Sequence, residues 1–556
     1  RFCSPASAIR RFWRRPSAVP NRKLRRLAPL LLTFVALCAS ARAQTPPPSP
    51  SPSPSAAPVP SASAAASPTP TPPPITVQPQ AASVPVGTAV NLTVGSAIVP
   101  LSAAVRDPSI ASAAIDQPSQ RLSIIGKSPG ATIVTVSDAR GLRVDVPVRV
   151  AYYAGTIAPY VKLEVTGDPA SSDFVREQVA RAVQSAAGLR PGAQVLVTPD
   201  DVPFQGSLDQ DDVAAFNVPV LIQAKDDFEV DGATHVEVRN VAVPRISPDS
   251  LMVSDYPERL TENGTLFTAD LRVQQPSRFL YFHYNPPGQP DRRIVLRAQN
   301  LSREPSIVQV ISDRGGPSTN EMEAGHVATK RFLVDVEQNQ GRLLTLDGNT
   351  SVNIAQQDLP AGSIVCSLLQ LRVLSGGNVH LTLVAQDASA DPSDAIAGNE
   401  LLESAHKHAR GIYPIAEFHF ATLWRVDGDY LELPIGELPL PNDLQGQALS
   451  GDYGVLQSFV VNVENPLPTP QAVAIYENPR GGHATGTYII DGVLVQSHQV
   501  PPFSRYKVRQ YVVPAHGFVR VTIATMPEAG SSLPLRLIFA PDDGSVAPSA
   551  PGSPIY

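Results

Sequence analysis

Between Val105 and Gly141 the chain alternates apolar and polar residues in short runs, each closed by a turn signal. No other feature restricts the fold as tightly. Ile133, Val134 and Val136 are interleaved with Thr132, Thr135 and Ser137. A period of two means a strand with one face buried and the other solvated. Asp107-Pro108 and Ser128-Pro129-Gly130 bound the runs. Gly130 and Gly141 stand where a hairpin needs residues that tolerate positive φ. Val84-Pro85-Val86-Gly87 and Val90-Asn91-Leu92 open the same region, and Val144 to Val150 closes it with another alternating run. Residues 76–152 are therefore expected to fold as a small β-sandwich.

The residues in this stretch also carry a resemblance. Asp107-Pro108-Ser109-Ile110-Ala111 is followed by I-x-G-K-x-x-G-x-T-x-x-x-V-x-D from Ile124 to Asp138. That pattern resembles the bacterial Ig-like modules of surface proteins, and in particular the N-terminal module of pilus-formation proteins of the secretin class. It covers about residues 76–151. The resemblance implies an Ig-like fold and a periplasmic accessory role in a pilus or secretion apparatus. It supplies no catalytic residue, and no secretin-like pore domain is legible downstream.

Upstream, residues 1–43 hold ten of the chain's 44 Lys and Arg and no acidic residue. An apolar run from Leu27 to Ala39 precedes Ala41-Arg42-Ala43. A basic segment, a short apolar core and a small-x-small site are the marks of a secretory signal peptide, with cleavage expected before Gln44. The apolar run is too short for a comfortable membrane span. Residues 44–75 are a Pro/Ser/Ala-rich tract without charge, expected to stay disordered as a stalk or linker. Without the leader the chain carries a net charge of about −16, which argues against nucleic acid and anionic lipid as partners. Of three cysteines, Cys3 and Cys38 fall in the leader. Cys366 stands alone among Ile364, Val365, Leu368 and Leu369 and reads as a small buried hydrophobe, so core burial rather than disulfides must hold the domains.

Beyond the first sandwich, the pattern predicts a mainly β, multidomain protein with Ig-like β-sandwiches and one small α+β domain. The α+β domain is placed at 158–246. Val161 to Val165 reads as a strand, and Phe174, Val175, Gln178, Val179, Ala182, Val183 and Ala186 recur at helical spacing, with Gly188 as the stop. Residues 250–390 are expected to be β-rich with one helix over Thr319 to Val336, whose apolar side is marked by Met322, Val327, Phe332 and Val336. Residues 410–540 carry seven short runs with turns between them, suited to a further β-sandwich. Residues 541–556 read as a flexible tail.

Four constellations invite a chemical reading. Glu403-x-x-His406-x-His408, with His419 on a nearby predicted strand, has metal-like spacing, but a solvated histidine pair is the simpler account, so no metal is assigned. Asp227-x-Glu229-x-Asp231-Gly232 mimics half of a calcium loop, yet Val238 stands where a bidentate Glu is required. It reads instead as a hairpin turning at Asp231-Gly232, beside a solvated acidic loop at Asp209, Asp211 and Asp212. Arg480-Gly481-Gly482-His483 has no strand-then-helix context for a phosphate loop and reads as a turn. Phe279, Tyr281, Phe282, His283 and Tyr284 form the densest aromatic run. Core packing is the simpler account of the run, but strict alternation would expose about half of it, which makes Tyr281, Phe282, His283 and Tyr284 the candidate binding residues, for a sugar ring or a partner's pocket.

No motif names a reaction, and no enzyme activity or cofactor is expected. The sequence reads as an exported, non-catalytic envelope protein with a structural or adhesive binding role, at the cell surface or in the periplasm. A periplasmic accessory of a pilus or secretion apparatus and a carbohydrate-binding or carbohydrate-active protein are the alternatives. The expected partner is an envelope protein or glycan, with no integral membrane span after signal cleavage.

Overall fold

The computed structural model describes residues 73–393, 400–444 and 446–545. The expected signal peptide and nearly all of the expected linker lie outside them. Among the described residues the protein is mainly β with two α-helices, and no helix is long and apolar enough to cross a membrane.

Residues 76–151 form the expected sandwich. One sheet orders the strands Thr76–Gln78, Ala89–Gly95, Arg121–Gly126 and Ala111–Asp116; the other orders Ala82–Pro85, Arg143–Ala151, Gly130–Ser137 and Ser102–Val105. Leu92, Leu122, Ile124, Val134, Val136, Val146 and Val148 meet between them. Along Gly130–Ser137 the inward residues are Thr132, Val134 and Val136, while Ile133 is half-buried on the outer face. Thr132 can face inward because its hydroxyl accepts from the Asp107 N–H at 3.0 Å. The D-P-S motif is a turn closed by its own aspartate, whose carboxylate accepts from Ser109 N–H (3.0 Å) and Ser109 Oγ (2.6 Å). Those bonds hold the Asp107 carboxyl below its usual range. Gly141 (φ +79°) completes a second turn, in which its N–H donates to Asp138 O at 3.0 Å.

The boundary expected between 158–246 and 250–390 does not exist. One ten-stranded sheet runs through both, in the order Gln194–Leu196, Val213–Gln223, Val230–Asn240, Tyr160–Thr166, Gly341–Leu346, Ser306–Ser318, Ser363–Ser375, Ser277–Asn285, Ser250–Ser254, Arg410–Tyr413. Tyr160–Thr166 takes a strand from the expected α+β domain on one side and Gly341–Leu346 on the other. Pairing partners distant in sequence leave no mark in local composition, which is why the seam was unreadable. A four-stranded sheet (Gly264–Leu271, Val379–Asp387, Arg292–Asn300, Ser351–Leu359) covers one face of its central strands through a large core of Phe267, Phe279, Tyr281, Leu296, Leu369 and Leu383 among others.

Helix α1, Ser172–Ala186, packs on one wing of the ten-stranded sheet. Ser171 caps it by accepting from Phe174 N–H. Its end is not made by Gly188 in a left-handed turn. Ala187 leaves the helix extended, and Gly188 pairs in a short ladder with Thr156, whose Oγ1 would lie 2.5 Å from an added Cβ. Helix α2, Glu321–Glu337, covers the other face of the central strands, opposite the four-stranded sheet, and is capped by Asn320. Half of its buried face is small, Ala324, Gly325, Ala328 and Thr329, and the rest is His326, Phe332, Leu333 and Val336. Val327, expected inside, is only half-buried.

The C-terminal sandwich has nine strands rather than seven. Leu431–Ile435 and Val493–Val500 join the expected runs, the latter across the Asp491-Gly492 hairpin turn, where both φ are positive. Arg410–Tyr413, expected within this sandwich, instead closes the edge of the ten-stranded sheet. Arg278, fully buried, ties the parts together. Its guanidinium donates to Ala416 O at 2.7 Å and to Glu417 Oε1 at 2.9 Å, and lies over the Phe332 ring of α2. The start of the expected tail is also held, since Lys507 Nζ reaches Asp542 and Asp543 N–H donates to Tyr476 Oη at 2.9 Å. Residues 546–556 lie outside the description.

Candidate functional site

The sequence-selected groups scatter, with one exception. Glu403 and His406 do not meet: Glu403 faces Arg410 and the Tyr256 hydroxyl (2.9 Å), while His406 is exposed. His419 pairs with Glu417 on a strand of the C-terminal sandwich. Asp227 bonds Arg190 (3.0 Å) and Glu229 accepts from Gln223 (3.3 Å), so the half calcium loop does not converge. Asp231 and Gly232 lie inside the ladder, opposite Leu221 and Val220, and the hairpin turns upstream of them. Asp209, Asp211 and Asp212 are exposed. Arg480 and Gly481 are pinned by N–H bonds to Pro534 O, and a Cβ on Gly481 would lie 2.1 Å from Leu533 O. Cys366 is fully buried and burial pushes its thiol pKa up.

In the aromatic run, core packing holds and the binding reading of Tyr281, Phe282, His283 and Tyr284 does not. Tyr281, Phe282 and His283 are buried, at 1%, 7% and 0% exposure, and Tyr284 is half-buried. Alternation exposes one face only if solvent covers it. Here the strand Ser277–Asn285 sits inside the ten-stranded sheet with the second sheet on one side and α2 on the other. These residues form a wall and a support instead of an outward-facing stacking surface.

What they support is a turn. After the strand Ser250–Ser254 the chain passes through Asp255, Tyr256, Pro257 and Glu258. His283 holds that turn from behind: its Nδ1–H donates to Pro257 O at 2.9 Å, leaving Nε2 to accept from Ser254 Oγ at 3.2 Å. Burial depresses its pKa to about 4, so the neutral tautomer that this pattern requires is the one present. Tyr284 N–H donates to Glu258 O (2.7 Å), and Asp255 N–H donates to Ala409 O (2.9 Å). Arg410 stacks on the Tyr256 ring, 4.6 Å from its centroid, and donates to Leu402 O at 2.6 Å. The two segments 255–258 and 402–410 are thus locked side by side.

Their side chains converge on His408. Glu258 Oε2 lies 3.0 Å from Nε2, and Asp255 Oδ2 lies 3.5 Å from Nδ1. One donor atom from each of Asp255, Glu258 and His408 falls within 4.8 Å of the others. The group opens on a recess of about 350 Å³, lined also by Leu280, Phe282, Glu321, Lys407 and Tyr453. Asp255 stands half in its wall. Its side chain keeps 27% of its surface open, yet Oδ1 is out of solvent and has no hydrogen-bond partner. Burial pushes its pKa up to about 6, against the pull of His408. The hydrogen bond to Asp255 in turn raises the pKa of His408. Chemically, two carboxylates and an imidazole facing a recess can share a proton or hold a cation. Only His408 of this group had a sequence signal, because Asp255-Tyr256-Pro257-Glu258 reads as an ordinary turn.

Comparison with known proteins touches the first sandwich. No curated protein matches this sequence. Among solved structures, the human desmocollin-1 ectodomain matches at 10% identity, over 36% of this chain and 45% of that one, with a TM-score of 0.12. The chain thus spans less than half of that ectodomain. The Bacteroides ovatus mixed-linkage glucan utilization locus SGBP-B, in complex with a mixed-linkage heptasaccharide, matches at 10% identity over 55% and 72%, with a TM-score of 0.11. At such scores neither bears on what this chain folds into as a whole or binds. Residues 78–151, roughly an eighth of the chain, match the family model described as the pilus formation protein N terminal region, and there the chain is similar to that family in sequence.

Proposed function

We propose that this chain is a non-catalytic, envelope-associated accessory of a pilus or secretion apparatus, exported to the periplasm, with envelope proteins as its partners. The similarity of residues 78–151 to the pilus formation N-terminal region carries this reading. The turns that define the motif are built in full: Asp107 closes one, and Asp138 organises the other, accepting from Arg140 N–H (2.9 Å) and Arg140 Nε–H (2.7 Å). The broad, doubly covered body behind the module supports a structural role, in which sheets and loops supply contact surface.

Protease accessibility on intact cells, compared with cells whose outer layer has been opened, tests it. Digestion only after opening is the expected result. Digestion on intact cells places the domains outside and favours the adhesive surface reading instead.

A further inference from the structure

We propose that Asp255, Glu258 and His408 form a binding site for a divalent cation of the zinc type. Their three donor atoms lie within 4.8 Å of one another. An ion with bonds of about 2.0–2.2 Å closes that spread with a shift of roughly half an ångström. Two carboxylates match the charge of the ion. One imidazole biases the set towards borderline ions and away from magnesium and calcium, which prefer all-oxygen shells.

A second observation is independent of the clustering. Asp255 Oδ1 is buried and accepts no hydrogen bond. An acceptor removed from water without a partner is unfavourable, and coordination that includes Oδ1, with Oδ2 beside His408, relieves it. The site is also held in place before any ion arrives. His283 fixes the turn 254–258 through Ser254 and Pro257, Tyr284 N–H holds Glu258 O, and Ala409 O holds Asp255 N–H next to His408. Three protein donors leave the remaining positions facing the recess, where water or a donor from a partner completes the shell. Glu321 and Lys407, of opposite charge, are the other charged residues lining it.

This site stands apart from the proposed pilus or secretion role, and its failure would leave that role untouched. The test is calorimetric titration of the chelator-stripped full chain with zinc, with cobalt(II) absorption as the spectroscopic probe. One equivalent of zinc is expected to bind and to raise the melting temperature. His408→Gln and Glu258→Gln are each expected to weaken binding by roughly 100-fold and to abolish the cobalt bands, whereas His406→Gln leaves both unchanged. If His408→Gln does not fold, Glu258→Gln carries the test, because its side chain is one-quarter exposed. The assignment is overturned by absence of zinc binding at millimolar concentration, by full binding in Glu258→Gln, or by calcium or magnesium binding as tightly as zinc.

Discussion

Two strands set the first sandwich apart from the body behind it. In the first sandwich, Gly130–Ser137 buries Thr132, Val134 and Val136 and turns the residues between them outward. In the body, Ser363–Ser375 buries every residue from Ile364 to Val373. One has water on one face; the other has a sheet on one face and α2 on the other. Period two is a record of asymmetric solvation, so it survives in the first case and disappears in the second. A self-contained sandwich can announce its boundaries, whereas a sheet covered on both faces takes partners from wherever the chain supplies them.

The comparison breaks most visibly at Arg278. Replacing it with Ala leaves Glu417 with only the exposed His419 beside it at the seam between the body and the C-terminal sandwich. A loss of about 3–5 kcal/mol is expected, measured by denaturant unfolding, with the first sandwich retaining its own transition. A single shared transition, shifted as a whole, would mean that the sandwich is not self-contained. Leu122→Ala probes the other side. Leu122 is fully buried in the first sandwich, and a loss of about 3 kcal/mol should fall on that module's transition alone.

Glu477 sharpens the comparison by pH. It is buried in the C-terminal sandwich beside the Tyr488 and Ser497 hydroxyls. Burial pushes its pKa up to about 8 from 4.5. The folded state therefore holds a proton that the unfolded chain releases above its ordinary value. Stability from this group is full below pH 4.5 and falls as pH rises through 8, by up to about 1.4 kcal/mol per pH unit. Glu477→Gln should flatten that slope in melts taken between pH 5 and 8, with little change at pH 5. An unchanged slope would show that the carboxyl is solvated.

Legibility followed the same physics. Turn chemistry at Asp107 and Gly141 and the helical spacing of α1 were readable because each is local. The face of α2 was legible at Phe332 and Val336, which are buried, but its N-terminal half was not, because close packing selected Ala and Gly there: a Cβ on Gly325 would lie 1.7 Å from Ala529 O. Ile133 and Thr132 exchanged faces because a backbone N–H partner outweighed hydrophobicity. At the candidate site, the residues beside His408 are Asp255 and Glu258 rather than Glu403 and His406. The strand pairing Ser250–Ser254 with Arg410–Tyr413 creates that neighbourhood, and no spacing rule reaches across it.

The pairing of Arg410–Tyr413 with Ser250–Ser254 also decides which parts of this protein can be exchanged between chains. A joint near residue 152 transfers the first sandwich with its core complete. A joint near residue 405 removes the strand that closes the large sheet, the carboxylate that Arg278 requires and the histidine at the recess. It also leaves a row of unpaired backbone groups open to association. One end of the chain is a cassette, and the other is a graft that has grown into its host.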